Sequence, residues 1–353
     1  MRWMRRKPPV SASTPRKLSR LWLHIGLEKT GSTSVLETLR ASGDRLGALG
    51  LDVPRGPHDQ RSLAHVFRSR PMVEMMGLKD VDGPEAQARY RAGLATRFAE
   101  RLAAGAADEA LVSDEMLAAL TLPEAQAMAA YLEPLAREVR VIAYVRAPLD
   151  AAVSLSQQLI KTGHELYSDM ARRPAYRPVR PRLEVFRAAF GAENVAVRCY
   201  ARSELVGGSI QTDLLHAIGH AHLADHLDLR NANESVTLQG ALVKSAMSRM
   251  SERPIREHAF LGRIAGHRFT LPASALEAAA DRLRPDRAWL ETTFGLSFAD
   301  RAPPPMPAPD TLASAEVLAS MQTARARVPR ALRPTFDAAV AKLGSGDDWA
   351  AYA

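Results

Sequence analysis

The sequence predicts an α/β fold: a parallel sheet flanked by helices, followed by a mostly helical C-terminal part. Three observations carry this reading. Up to residue 235, short apolar runs alternate with amphipathic helical patterns. From Val236 onward the pattern is almost wholly helical. The apolar run at residues 21–25 also feeds a loop rich in glycine and hydroxyl residues at the start of a helix.

The first strand uses Leu21, Trp22, Leu23 and Ile25 and stops at Gly26. Ser32, Thr33 and Ser34 then open a helix whose apolar positions are Val35, Leu36 and Leu39. Residues 49–54 read as a short second strand, followed by a polar loop carrying His58 and His65. Within 84–104, Tyr90, Leu94, Phe98 and Leu102 recur every fourth residue, a helix that Gly105 closes in the manner of a C-terminal glycine. ALVS at 110–113 is a buried strand ending in Asp114 and Glu115, and 123–132 is a helix begun by proline. VRVIAYV at 139–145 is the most strand-like run. Behind it Arg146 and Ala147 lead into a helix reaching Lys161, with Pro148 in its first position and Asp150 in its first turn.

The Arg- and Pro-rich stretch 164–182 reads as a loop, 183–190 as a helix, 194–200 as a strand and 210–218 as a helix before Gly219. Pro254, Pro272 and APPPMPAP at 302–309 interrupt the C-terminal helices, the last as a semi-rigid linker. Three units follow from this pass: a disordered basic tail over 1–19, an α/β core over 20–235, and a helical region over 236–353 packed on that core.

The 353 residues suffice for a sizeable core, and 46% hydrophobic with 24% charged residues is an ordinary soluble composition, Ala- and Arg-rich in the bacterial manner. The net charge of +8 is mostly local. Residues 1–20 contribute +7 with no acid, and the rest holds 40 basic and 39 acidic side chains. The excess therefore belongs to the tail and does not mark a nucleic-acid-binding body. That tail lacks the apolar centre of a secretory signal. It reads as solvated, with a membrane surface as its alternative contact. No run of about 18 apolar residues exists, so no membrane span is expected. The single Cys199 excludes an internal disulfide and a cysteine-based zinc site. It is expected to be a buried packing residue in a reducing, cytoplasmic setting.

A strand that feeds such a loop at a helix N-terminus is an anion site, because backbone N–H groups and the positive dipole end point at the ligand. Lys29, Thr30, Gly31, Ser32, Thr33 and Ser34 supply a point charge and several donors. The nucleoside-triphosphate P-loop has its lysine after the second glycine. Here Lys29 precedes Gly31, and that pattern fails. KTGST after a strand resembles instead the 5′-phosphosulfate loop of the sulfotransferases that use PAPS, 3′-phosphoadenosine 5′-phosphosulfate. A second motif agrees. Arg146, Pro148, Asp150 and Ser154 match the R-x-P-x-D-x-x-x-S pattern with which that family reads the 3′-phosphate. An arginine fork suits a phosphate, and Ser154, one turn into the helix, donates to the same group. Ser154, Gln158, Lys161 and Gly163 continue as the S-x-x-x-Q-x-x-K-x-G run of bacterial members.

The resemblance implies a P-loop-like sheet that binds PAPS and releases PAP at the strands' C-terminal ends. It implies sulfuryl transfer to a hydroxyl, or an amine, of a glycan, lipid or small molecule, without a metal. Lys29 would neutralise charge on the bridging oxygen, and Arg146 and Ser154 would hold the 3′-phosphate. The catalytic base is Glu115 in the first instance, with His58 and His65 behind it. Glu28, beside the anion loop, either pairs outward or is the base itself. Asn233 or Ser235 would contact the donor, though NANES at 231–235 also reads as a helix-capping segment. His216, His220, His222 and His226 read as a solvated face rather than a metal site. The arginines at 172, 173, 177, 180 and 182 read as a solvated loop or the greeting of an anionic acceptor. The alternatives are a P-loop-type kinase or nucleotidase, and a non-catalytic PAP-binding scaffold recruited through the tail.

Overall fold

The structure is a computed structural model and describes residues 16–54, 62–69, 81, 83–230, 235–252, 254–299, 304–308 and 311–344. In chain order the elements are β1 (Leu18–Ile25), α1 (Ser32–Ala48), β2 (Leu51–Asp52), α2 (Ser62–Phe67), α3 (Pro84–Ala104), β3 (Glu109–Asp114), α4 (Leu122–Leu132), β4 (Ala136–Val145), α5 (Pro148–Lys161), α6 (Tyr167–Arg172), α7 (Arg180–Phe190), β5 (Val195–Cys199) and α8 (Ile210–Ala217). Four longer helices follow: α9 (Leu238–Arg249), α10 (Ala273–Phe294), α11 (Ala315–Arg325) and α12 (Arg333–Gly344). This is the α/β class that the alternating pattern predicts, with a helical C-terminal part.

The sheet has five parallel strands in the order β2-β3-β1-β4-β5. β1 is central, with Leu23 opposite Val112 on one side and Val141 on the other. The connection after β1 leads toward β2, and the connection after β4 leads the other way to β5. The crevice of a doubly wound sheet opens where the order reverses, outside the C-terminal strand ends. Topology alone thus aims the loops after β1 and β4 at one another.

Alternate residues of each strand serve opposite faces. Leu21, Leu23, Ile25, Val112, Val141 and Ala143 pack with Phe98 of α3, Met128 and Leu132 of α4, and Phe186 of α7. Leu111, Ile142 and Tyr144 pack with Val35 and Leu39 of α1 and Leu214 of α8. A third cluster joins Ile160 of α5 and Tyr167 of α6 to Leu242, Met321 and Phe336 of the C-terminal helices. The Gln157 amide also donates to the Val236 carbonyl at 2.8 Å.

Tertiary contacts altered several local expectations. Within 164–182 the chain forms α6 and the start of α7 rather than a loop. Asp286 of α10 accepts from Val179 N and Arg180 N, capping α7 from a distant element, and Pro181 occupies the first turn, where an N–H is not missed. Gly105 closes α3 in an extended conformation, not a left-handed one, and a Cβ there would lie 1.8 Å from Asp52 Oδ2. His65 lies buried on the short α2 instead of in a loop. The cap of α9 is Thr237, whose hydroxyl accepts from Gly240 N; residues 231–234 of NANES lie outside the described residues. The described part of the proline stretch is not a free spacer: Pro304 O accepts from Thr270, and Met306 packs in the third cluster.

His24 of β1 is fully buried between strands, with Nδ1 2.7 Å from Ser113 Oγ, Nε2 lacking a hydrogen-bond partner, and its ring edge-on to Tyr144. Burial pushes the imidazole down to about 4. The unfolded chain binds this proton near pH ~6.5, so the His24 contribution is complete above that pH and is lost as pH falls toward about 4. The expected loss is up to about 3 kcal/mol. Urea midpoints measured across this range will fall less steeply for His24→Gln than for the parent chain, and parallel curves would exclude His24 as the group responsible.

Candidate functional site

β1 runs into the loop with Gly26 N donating to Asp114 O at 3.2 Å. Only glycine fits at 26, because a Cβ would stand 2.5 Å from Ser32 Oγ and 2.9 Å from the Glu115 Cα. The Thr30 and Ser32 hydroxyls both donate to Leu27 O, at 2.7 and 3.3 Å, and tie the loop into a closed turn. Their side chains thus brace the loop. What these two residues can offer an anion is backbone N–H. Gly31, at φ 81°, is the N-cap of α1 without a side-chain cap bond. The first intrahelical bond is Val35 N to Gly31 O, leaving the N–H groups of Ser32 and Thr33 aimed out of the helix end. Thr33 is exposed, and Ser34 is buried beside the large cavity described below.

Lys29 has φ 63°, the left-handed region that a side chain rarely adopts, and is the sole non-glycine there among the described residues. Its Nζ donates to Gln158 Oε1 at 3.3 Å. Loss of water lowers its proton affinity, and the charges of Lys161 and Arg146 lower it further. Arg146 leaves β4 with its guanidinium 5.1 Å from the centre of the Tyr200 ring, a cation–π contact that orients it. Tyr200 is held at the end of β5 by its N–H on Val145 O at 2.7 Å. Neither Lys29 nor Arg146 has a carboxylate partner among the described residues.

A cavity of about 790 Å³ collects Ser34, Arg146 and Ser154 from three separate elements. Ser154 stands one turn into α5, beside Asp150 and Gln157 on the same face. Tyr200, Arg202 and Arg268 line it as well and were missed from the sequence. The position of Tyr200 at a strand's C-terminal end was the available signal for it. Arg268 had none, since it arrives through an antiparallel bridge to Thr237. Ser235 lines the cavity, and Asn233 lies outside the described residues. Cys199 lines it too and is half-buried rather than buried.

The expected bases fall in different places. Glu115 follows β3, exposed, with its Cα against Gly26. His58 lies outside the described residues. Glu28 pairs outward: Arg177 Nη1 reaches Oε1 at 2.8 Å and Arg182 Nη1 reaches Oε2 at 2.5 Å. Burial pushes the Glu28 carboxyl up, but the charge and hydrogen bond of Arg182, with the bond from Arg177, outweigh it and hold it below the ordinary range. A carboxylate clamped in this way is a weak base. The same bonds show that Arg177 and Arg182 are not merely solvated. Of the four clustered histidines, His220 is half-buried on Glu109 at 3.2 Å while His216, His222 and His226 are exposed.

The left-handed backbone at Lys29 costs about 1 kcal/mol for a side-chain residue, which glycine avoids. Lys29→Gly is therefore expected to be more stable than Lys29→Ala by about 1 kcal/mol in urea denaturation. Equal stabilities would show that the lysine backbone carries no strain.

No protein-family model matches the chain, and no curated protein matches it. It is similar to a sulfotransferase from Alicyclobacillus acidocaldarius, known from a crystal structure, at 14% identity and a TM-score of 0.37, over 78% of this chain and 96% of that one. A likeness of that size carries no argument about what this chain does.

Proposed function

We propose that this chain is a sulfotransferase that moves the sulfuryl group of PAPS to an acceptor hydroxyl. The observation that supports it most is the meeting of Lys29 and Arg146. They come from the loops after β1 and β4, with no carboxylate partner among the described residues and close enough for their charges to interact, and Arg146 lines a cavity of nucleotide size together with Ser34 and Ser154. Two anionic groups at fixed separation would neutralise this pair, as the 5′-phosphosulfate and 3′-phosphate of the donor do.

In this reading the N–H groups of residues 30–34 cradle the 5′-phosphate at the dipole end of α1. Arg146, oriented by Tyr200, takes the 3′-phosphate with Ser154, and Arg268 adds a second cation to that end. The acceptor oxygen attacks sulfur, the bond from sulfur to the 5′-phosphate oxygen breaks, and Lys29 neutralises the charge left on that oxygen. Gln158 holds the Lys29 ammonium in place. Glu115 takes the acceptor's proton, with His58 as the second candidate. No metal has a role in these steps. Residues 20–235 form the transferase core, 236–353 pack on it and close the far end of the donor cavity, and the basic tail expected over 1–19 gives up Leu18 and Ser19 to β1. The reaction is placed in the cytoplasm. Among the described residues no helix is long and apolar enough to cross a membrane.

PAP at about a hundred times its Kd should stabilise the protein by about 2.7 kcal/mol, read as a rise in melting temperature. Arg146→Ala should weaken PAP binding by about tenfold or more. Lys29→Ala should lower kcat by a factor of about 100 or more while PAP binding changes far less. Glu115→Gln should lower kcat by a similar factor, and unchanged turnover would remove Glu115 as the base. Absence of any PAP-induced shift, or transfer from ATP with magnesium in place of PAPS, would overturn the reading.

A further inference from the structure

The helix that carries Ser154 has a second lined face. Asp150, Ser154 and Gln157 of α5 turn toward the large cavity, whereas Leu155 and Leu159, about half a helical turn away, line another of about 660 Å³. Leu155 is buried, Tyr176 is half-buried, and the arginines at 173, 177 and 282 of this second cavity are exposed at its mouth. Its depth is therefore apolar and its rim cationic.

Most charges around that rim are already matched. Arg177 is on Glu28, Arg180 is on Glu184, and Asp286 accepts from the Tyr176 hydroxyl, Val179 N and Arg180 N. Arg173 and Arg282 are the exceptions. Neither has a carboxylate partner among the described residues; Arg282 donates only to the Pro174 carbonyl, at 2.6 Å. Partial loss of water and then the charge of Arg173 lower the proton affinity of Arg282, so the two guanidinium groups repel each other across the mouth. An oxyanion between them would turn that repulsion into two charge-assisted contacts.

The cavity also leads to the loop. Leu155, Tyr176 and Arg177 are shared with a narrow gap of about 20 Å³ lined by Leu27, Thr30 and Arg146. That volume is about what one water-sized group occupies, enough for a hydroxyl.

We propose that this second cavity binds the acceptor, and that the acceptor is an amphipathic alcohol with an oxyanion at the end remote from its reacting hydroxyl. The apolar body lies along Leu155, Leu159 and Tyr176, the oxyanion sits between Arg173 and Arg282, and the hydroxyl enters the gap beside Thr30. This rests on the sulfuryl-transfer reading: the acceptor O–S bond forms, the donor S–O bond breaks, and the hydroxyl proton leaves to the base. Donor and acceptor then approach the loop from opposite sides of α5.

The test uses the full chain and three aliphatic probes of matched length: an ω-hydroxyalkanoate, the corresponding ω-hydroxyalkyl phosphate and the uncharged α,ω-diol. Their binding is measured without donor by ligand-observed NMR, and PAP binding is measured in parallel by calorimetry. The parent chain is expected to bind at least one anionic probe about tenfold more tightly than the diol. The carboxylate and phosphate arms identify which oxyanion is preferred. The R173A/R282A variant is expected to lose the preference while binding PAP as the parent does, and R173K/R282K is expected to keep part of it. Equal affinities for all three probes, no measurable binding of any, or an unchanged preference in R173A/R282A would overturn the proposal. Failure of PAP to bind the parent chain overturns the transferase reading, whereas intact PAP binding without anion preference overturns the acceptor site alone.

Discussion

Two cations held near each other with no carboxylate partner among the described residues, Lys29 and Arg146, are the constraint on which the rest of this molecule depends. Arg146 directly follows β4, and Lys29 lies four residues beyond the end of the neighbouring β1, in a loop braced by the Thr30 and Ser32 hydroxyls on Leu27 O. Loss of water first, and then the charges of Lys161 and Arg146, lower the proton affinity of Lys29, and a bound anion would offset that. The surrounding structure resists collapse of this arrangement. Tyr200 supports one cation from beneath and Gln158 anchors the other.

The loop that carries Lys29 is built by restraint rather than by favourable local conformation. The lysine sits in a left-handed backbone position, the hydroxyls of Thr30 and Ser32 are consumed on Leu27 O, and Gly26 is compelled by contacts with Ser32 and Glu115. Strain of this kind persists only where surrounding contacts over-determine it, and it is commonly found at working sites. Helix α5 is the second organising element. One face lines the large cavity, another the arginine-rimmed one, and Ile160 carries the C-terminal helices. A single rigid rod therefore sets the geometry between both cavities and ties the last third of the chain to the sheet.

Most of the architecture was legible because it rests on short-range periodicity. The apolar run at 139–145, the fourfold spacing of Tyr90, Leu94, Phe98 and Leu102, and Pro148 at a helix start each encode an element in a few neighbouring residues, and each element formed where that code placed it. The misreadings share one cause. Helix α7 begins early because Asp286, more than a hundred residues later, caps it; Gly105 is required because Asp52 occupies the space a Cβ would take; His65 is drawn onto a short helix. In the candidate site the spacing of Arg146 to Ser154 singled out two residues that line one cavity, and Thr30 of the first loop lines a narrow gap that also reaches Arg146. The same letters did not show that the Thr30 and Ser32 hydroxyls bond to Leu27 O.

By itself, then, the sequence determined the class of fold, the order of most elements, and a lysine-bearing loop distant along the chain from an arginine-bearing strand end. Those are local properties, set by periodicity, by glycine and proline, and by the order of residues in a turn. Only the tertiary structure decided that Glu28 is clamped by Arg177 and Arg182, that Tyr200 underlies Arg146, that Arg268 reaches the large cavity, and that Arg173 and Arg282 line one cavity, with no carboxylate partner for either among the described residues. Charge pairing and desolvation depend on which residues the packed sheet and helices bring within a few ångströms, and that proximity is written in no single stretch of the chain.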